Sequence, residues 1–330
     1  MKRTFSCVLA ILFGVRTLLG TGLGTGHVAE GTRYESEAVN AYALHRHGLD
    51  GALFLDPYFL PDLVDLEGLR VLDAGCRAAP WAILAAQNGA EVFGIDLQEK
   101  MIEKGLAAVL AAGMEEKVHL QVGDVAYLPF SCCFFDRALS INVGCNLPST
   151  HSKEGRRFGL GPHVDEIARV IHSGGKAVVT APASFGIVFT NGSEAGKIAS
   201  HIQEVLAKLE PGSSPSEIAS SLSELTEVYR ATFAFRDGKL QLIENEADLM
   251  PGEEIWRKVP GLAIPNRYHS ESEYLAAFSE ANLQVDSIEH PFFSSEEERA
   301  AYNGSCPNDS LLCPEYASHP AFVIFHASKP

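Results

Sequence analysis

Val71-Leu72-Asp73-Ala74-Gly75-Cys76-Arg77-Ala78-Ala79-Pro80-Trp81 is the stretch from which the rest of the chain can be read. Its first residues are apolar without alternation, the pattern of a strand buried on both faces of a parallel sheet. Gly75 stands where the chain must turn sharply, and glycine accepts the backbone angles such turns demand. Pro80 suits the first helical position, where its missing N–H costs nothing. Strand, tight loop and helix in that order leave free N–H donors at the strand's carboxyl end. In open α/β sheets that is where ligands bind. The expectation is a crevice holding a nucleoside-bearing cofactor.

Outward from this stretch, strand and helix signals alternate. The first strand is expected over 66–73. The helix after Pro80 carries Ile83, Leu84 and Ala85 and stops at Asn88-Gly89. Further strands are expected at 90–96, 118–122, 134–142 and 176–181, and helices at 98–112 and 164–172, the latter closed by Gly174-Gly175. Upstream, Val39, Tyr42, Ala43 and Leu49 share one helical face over 34–49, and a short helix begins near Pro57. Strict alternation implies parallel strands joined by crossover helices. The fold class is therefore α/β, with a doubly wound, mostly parallel seven-stranded sheet.

After Pro182 the rhythm breaks. A helix is expected over 194–209. Ser214 and Glu217 form a capping box that opens another, to about Tyr229. Alternating residues around Asp237-Gly238 predict a β-hairpin over 232–243. The earlier rhythm resumes at a second capping box, Ser270 and Glu273, with a helix to about Asn282 and strands at 283–289 and 321–326. The chain thus divides into a possible leader or extension at 1–30, a main domain at 31–182 and 268–330, and an α+β insertion at 183–267 over the sheet's ligand edge.

The 330 residues are 46% hydrophobic and 21% charged, enough for a sizeable core. A formal net charge of −16, without a basic cluster, argues against nucleic acid as a partner, because phosphate contacts need a basic face. Seven cysteines at scattered spacings read as reduced thiols of an intracellular chain, with Cys132 and Cys133 on opposite faces of a strand. No Cys/His set has zinc spacing, so no metal is expected. Residues 1–30 carry Lys2-Arg3, an apolar run from Phe5 to Val15 and no acid before Glu30. They read as a secretory or organellar leader, or as an extension from an early start codon. The run is too short for a confident membrane span. The main domain is otherwise expected in the cytoplasm, and oligomeric state stays open.

Three acids fall at strand ends: Asp73, Asp96 and Asp124. In a doubly wound sheet these ends lie along one edge. An acid at the second strand's end, about 20 residues past the glycine loop, accepts from ribose hydroxyls. Asp124, in Gly123-Asp124-Val125, is placed to accept from an adenine amine. Asp73 is placed to orient the loop or to hold an ammonium group.

These residues resemble the class I S-adenosylmethionine-dependent methyltransferases, and within them the small-molecule subgroup that includes the ubiquinone and menaquinone methyltransferases. Val71 to Cys76 matches the first motif and Gly94-Ile95-Asp96 the ribose motif. Gly123-Asp124-Val125, Leu128-Pro129-Phe130 and Phe134-Phe135-Asp136 follow in order, then Ile167 to Lys176 with its Gly-Gly turn. The resemblance implies a Rossmann-like methyltransferase fold and S-adenosylmethionine as cofactor. It implies cofactor contacts at Asp73, Gly75, Cys76, Arg77, Asp96, Leu97, Gly123, Asp124, Val125 and Asn142. The reaction implied is methyl transfer to a small, partly apolar molecule, without nucleic acid and without stable membrane insertion beyond the leader.

The loop departs from the family at Arg77 and Ala79, where glycines are usual. Arginine at positive φ is strained but allowed. Arg77 either pairs with the cofactor's carboxylate or points to solvent, and a catalytically silent binding protein that kept the fold is the alternative reading. A nicotinamide-binding fold is disfavoured, because the loop has one glycine and a preceding acid that would repel a pyrophosphate. A sulfonium methyl is already electrophilic, so positioning is the expected catalytic device. Candidate acceptor contacts are Asn142, Tyr268, His269 and Tyr42. Asn142 and His269 are also the candidate catalytic residues.

Overall fold

The computed structural model describes residues 60–151, 157–182, 188–189, 195–259, 262–290 and 322–330. The leader, the helices expected at 34–49 and near Pro57, and Tyr42 lie outside them. The chain-order elements of the main sheet are β1 (Arg70–Ala74), α1 (Pro80–Gln87), β2 (Glu91–Asp96), α2 (Glu99–Ala111), β3 (Val118–Val122) and β4 (Phe135–Ile141). A two-stranded ribbon follows, β5 (Ser149–His151) with β6 (Arg157–Gly159). Then come α3 (Leu160–Val170) and β7 (Ile171–Pro182). The insertion holds β8 (Val188–Phe189), α4 (Ala195–Ala207), α5 (Pro215–Ser223), β9 (Val228–Arg236), β10 (Lys239–Ile243), β11 (Glu254–Val259) and β12 (Leu262–Arg267). The main domain closes with α6 (Glu271–Glu280), β13 (Gln284–Glu289) and β14 (Phe322–Ser328).

The main sheet has seven strands in the order β13-β14-β7-β4-β1-β2-β3. β3, β2, β1, β4 and β7 are mutually parallel, whereas β14 runs antiparallel to both β7 and β13. Strand order reverses between β1 and β4, so the crevice of this sheet opens at their carboxyl ends.

Both faces are covered, which explains the unalternating strands. Val71, Val92, Leu139, Val178 and Ile324 pack under Trp81, Ala82 and Ala85 of α1. Their chain neighbours Leu72, Ala138, Val179 and Phe325 pack under Val164 and Ile167 of α3 and Phe278 of α6. Burying each large side chain contributes about 1.5–3 kcal/mol. α3 joins this layer through a buried His163, whose Nδ1 donates to Val125 O at 3.3 Å while its Nε2 accepts from Ser140 Oγ at 2.8 Å.

Several boundaries differ from the sequence reading, each for a tertiary reason. The first strand starts at Arg70 because Leu69 N–H closes a turn on Leu66 O. The helix over 164–172 begins earlier and ends at Val170. Ile171 turns extended to pair with Phe135, and Gly174 N–H is taken by Lys329 O, so the Gly-Gly pair lies within β7. The helix after Ser214 stops at Ser223 rather than Tyr229, because β9 claims Val228 onward against β8 and β11. Cys132 and Cys133 are both exposed in the turn before β4, with Cys133 at φ 57°, not on two strand faces. Both capping boxes form as read.

The insertion is a five-stranded sheet, β10-β9-β11-β12 with β8 on β9, backed on one face by Ile198, Ile202, Ile218 and Leu222 of α4 and α5. β11 and β12 escaped sequence reading because both faces of β11 are buried even at Arg257 and Lys258. Among the described residues, no helix is long and apolar enough to cross a membrane.

Burial holds the His163 imidazole neutral, its pKa pushed down to about 4 from 6.5. The unfolded chain takes up that proton below pH 6.5 and the folded chain only near pH 4. This residue therefore removes stability as pH falls through that window, by roughly 3 kcal/mol in all. Urea unfolding of wild type and His163→Gln at pH 7, 5 and 4 is expected to show the wild type losing ground to the variant by that amount. A constant difference would contradict it.

Candidate functional site

The crevice is built from four strand ends. After β1, the N–H groups of Gly75 and Cys76 both donate to Ile95 O, at 2.7 and 2.9 Å, so the loop is fastened to β2. Gly75 has φ 82°, and a Cβ there would stand 2.3 Å from Val143 Cγ2, so only glycine fits. Arg77 and Ala79 hold φ 52° and 64°, left-handed angles that cost a non-glycine residue about 1–2 kcal/mol each. The angles persist because Arg77 N–H donates to Asp96 Oδ2 at 2.9 Å and Ala79 N–H to Cys76 O at 2.8 Å. The backbone path that glycines usually provide is thus kept without them, and α1 begins directly behind it.

Asp96, 8% exposed, also accepts from Gln98 N–H through Oδ1 at 2.8 Å. Burial raises its pKa, and those two N–H groups, with the Arg77 charge, pull it back. Its own carbonyl receives Gly123 N–H at 2.9 Å, which brings the loop after β3 to the same edge. There Asp124 Oδ1 accepts from Ala126 N–H at 2.9 Å, a local turn that fixes the carboxylate. At the end of β4, Asn142 sits at φ 55°. Its N–H donates to Thr180 Oγ1 and Thr180 O of β7, and its Oδ1 accepts from Thr180 Oγ1 at 3.1 Å. Its Nδ2 is buried with no hydrogen-bond partner.

Between these ends lies a crevice that opens to solvent. Of the expected residues, Gly75, Arg77, Asp96, Leu97, Asp124, Val125 and Asn142 line it. Cys76 lies behind the loop against Gly94, its thiol pushed up by burial. Gly123 is not in the lining and acts through its backbone.

Asp73 is behind the loop too, 1% exposed, with Oδ2 unpartnered. Burial drives its carboxyl up to about 7, with Asp96 adding to the rise and Arg77 and the Ala82 N–H opposing it.

Two expected acceptor contacts fall outside the lining. Tyr268 donates its hydroxyl to Glu246 at 2.8 Å, within the insertion. His269 is buried, with Nε2 on Leu147 O at 2.7 Å and Nδ1 3.6 Å from Glu273, so it braces the crevice wall from behind. Sequence reasoning missed Gln98, Met101, Ile141, Val143, Asn146 and Leu147 in the lining. Val143 to Leu147 follow Asn142 directly, so their place in the strand-end loop was the available signal. Met101 carried none, being one of several apolar residues on α2.

The set of ligands this crevice can hold follows from its groups. Two carboxylates, Asp96 and Asp124, and a strand-end loop accept hydroxyl, amine and ammonium hydrogens, and they repel a pyrophosphate. A nucleoside with an ammonium-bearing tail fits this donor–acceptor pattern. Among the described residues no cluster of three or more His, Cys, Asp or Glu could hold a metal ion.

Comparison with known proteins gives a consistent result. The methyltransferase-domain family matches residues 71–175. A 24-methylenesterol C-methyltransferase 2 of Oryza sativa subsp. japonica is 33% identical over 92 residues, covering 28% of this chain and 25% of that protein. Methyltransferase GfsG of Streptomyces halstedii is 29% identical over 113 residues, covering 34% and 37%. The chain spans about a quarter to two-fifths of the length of the curated relatives it matches. An S-adenosylmethionine dependent methyltransferase structure from Mesorhizobium loti superposes with a TM-score of 0.52 at 18% identity, over 86% of this chain and 100% of that one. That likeness is one of fold.

Asp73 makes the site costly to the fold. Its unfolded form loses a proton near pH 3.8 and its folded form near 7, so it removes stability as pH rises between them. Asp73→Asn is expected to stabilise the protein at pH 8 by on the order of 2–4 kcal/mol and to change little at pH 4. Because His163 acts with the opposite slope, the wild-type-minus-variant difference in urea unfolding is the quantity to read. A variant less stable than wild type at pH 8 would refute this account of Asp73.

Proposed function

Residues 71–175 match the methyltransferase-domain family, and from that match we propose that this chain transfers the methyl group of S-adenosylmethionine to a small, partly apolar acceptor. The observation that carries the reading is the meeting of Asp96, Asp124 and the Gly75–Arg77 backbone in one crevice at the strand-order reversal. When bound, the donor would supply an electrophilic sulfonium methyl group with a neutral thioether as its leaving group.

The chain's own residues supply binding and alignment. Each Asp96 oxygen accepts one backbone N–H and keeps a lone pair for a ribose hydroxyl. Asp124, held by Ala126 N–H, takes the adenine amine. Asp73, walled in behind the loop, accepts the Ala82 N–H and orients the loop rather than meeting the ammonium end. Arg77, in the crevice lining, pairs with the donor's carboxylate. Asn142 Nδ2 offers an unused donor at the end of β4 beside the reacting centre. Apolar Met101, Val143 and Leu147 exclude water, so alignment and desolvation carry the rate.

Calorimetry with S-adenosylmethionine and S-adenosylhomocysteine on wild type and Asp96→Ala tests this reading. Wild type is expected to bind both. The variant should lose at least about tenfold in affinity, since a hydrogen bond to a charged group contributes about 1.5–3 kcal/mol. Equal affinities for the two proteins, in variants of matched thermal stability, would reject the site.

A further inference from the structure

We infer that Thr180 of β7 is a positioning residue: it turns the side-chain amide of Asn142 so that its NH2 group meets an oxygen of the methyl acceptor. The inference rests on the methyltransferase reading. It adds the residue that aims the contact and the kind of acceptor atom that receives it.

Thr180 does not line the crevice. It is fully buried in the main sheet, in register with Ile141 of β4 on one side and Ile324 of β14 on the other. Its backbone is therefore fixed from both sides, and a β-branched side chain has little χ1 freedom. The hydroxyl is a rigid point one strand away from Asn142.

That hydroxyl works on Asn142 twice. Its oxygen accepts Asn142 N–H at 3.0 Å, and its one hydrogen goes to Asn142 Oδ1 at 3.1 Å. A carboxamide is planar, with its oxygen and nitrogen diverging from Cγ. An oxygen held on the β7 side therefore sends Nδ2 the other way. In the strand order β7-β4-β1, the other way is toward β1. There the loops after β1 and β4 touch, since a Cβ on Gly75 would stand 2.3 Å from Val143 Cγ2. Gly75, Asn142 and Val143 all line the crevice.

Nδ2 has no hydrogen-bond partner, in a residue only 3% exposed. A buried N–H without an acceptor is costly, and an oxygen brought by what fills the crevice removes that cost. The proposed nucleoside contacts sit at the ends of β1, β2 and β3, at Gly75–Arg77, Asp96 and Asp124. Asn142 ends β4, across the reversal of strand order, so the oxygen it meets is the acceptor's.

Asn142 also holds φ 55°, an angle asparagine tolerates, and a purely conformational role would need no amide. Two variants separate the roles. Asn142→Gly keeps the backbone angle and drops the amide. Asn142→Asp keeps the oxygen that Thr180 holds and puts a second oxygen where NH2 stood.

The test uses the full chain, with methyl transfer from tritiated S-adenosylmethionine to the metabolites of a cell extract. Asn142→Gly should lower kcat/KM about tenfold. Asn142→Asp should lower it further, because its carboxylate repels the acceptor's oxygen. Thr180→Val should cost about as much as Asn142→Gly, and Thr180→Ser should restore activity. Added to Asn142→Gly, Thr180→Val should cost nothing more, as for a residue that acts only through another. S-adenosylhomocysteine affinity should stay at the wild-type value in all of them, which also shows that they fold. A second readout needs no acceptor. With asparagine carrying an NMR-active nitrogen isotope, the side-chain signal missing from Asn142→Asp belongs to Asn142. It should shift and broaden in Thr180→Val and return in Thr180→Ser.

Full activity in Asn142→Gly, an Asn142→Asp more active than Asn142→Gly, or an unmoved amide signal in Thr180→Val would each overturn the inference while leaving methyl transfer intact. Loss of S-adenosylhomocysteine affinity in step with activity would overturn it too, by moving the contact to the methyl donor. Failure of wild type to bind S-adenosylhomocysteine, or to label any metabolite, would instead overturn the reading beneath it.

Discussion

The Asp96 carboxylate holds this site together by accepting two backbone N–H groups, one from Arg77 in the loop after β1 and one from Gln98 at the entry to α2. A short acid side chain at the end of β2 can reach both, because adjacent parallel strands are under 5 Å apart. Its grip keeps Arg77 left-handed although the residue is not glycine, and that in turn lets α1 start where it does. Asp96 O then fastens Gly123, so the loop after β3 depends on the same residue. One carboxylate sets the shape of three loops and keeps lone pairs toward the crevice.

The crevice carries unmet demands that the rest of the fold tolerates. Asp73 is buried with a free oxygen and Asn142 with a free amide, and each costs stability while nothing complements it. The sheet that supports them is buried on both faces, so the core can bear these costs. Residues buried behind the crevice transmit the support: His163 bridges Ser140 and Val125, and His269 holds Leu147. Neither histidine touches the crevice, yet each fixes a loop that lines it.

The insertion enters where β7 ends and returns at the cap of α6, so both of its connections lie beside the ligand edge. Its sheet has a helix-covered face and a face turned to the crevice, and Asn266 and Arg257 reach across from the latter.

The alternation of strands and helices from β1 to β7 apart from the β5–β6 ribbon, the glycine turn, both capping boxes and the row of strand-end acids were legible from the amino acids alone. They depend on neighbours in the chain: unbroken apolar runs, a proline at a helix start, a serine three residues before a glutamate. Helix ends at Val170 and Ser223, and the strands β11 and β12, were not legible. There a partner distant in sequence decides, as when Phe135 captures Ile171 or Phe189 of β8 captures Val228. Local pattern therefore determined which residues stand at the sheet's edge. Only tertiary pairing decided which of them face the crevice, because Asp73 and Asp96 are both strand-end acids, yet one is walled in by packing and the other lines the crevice.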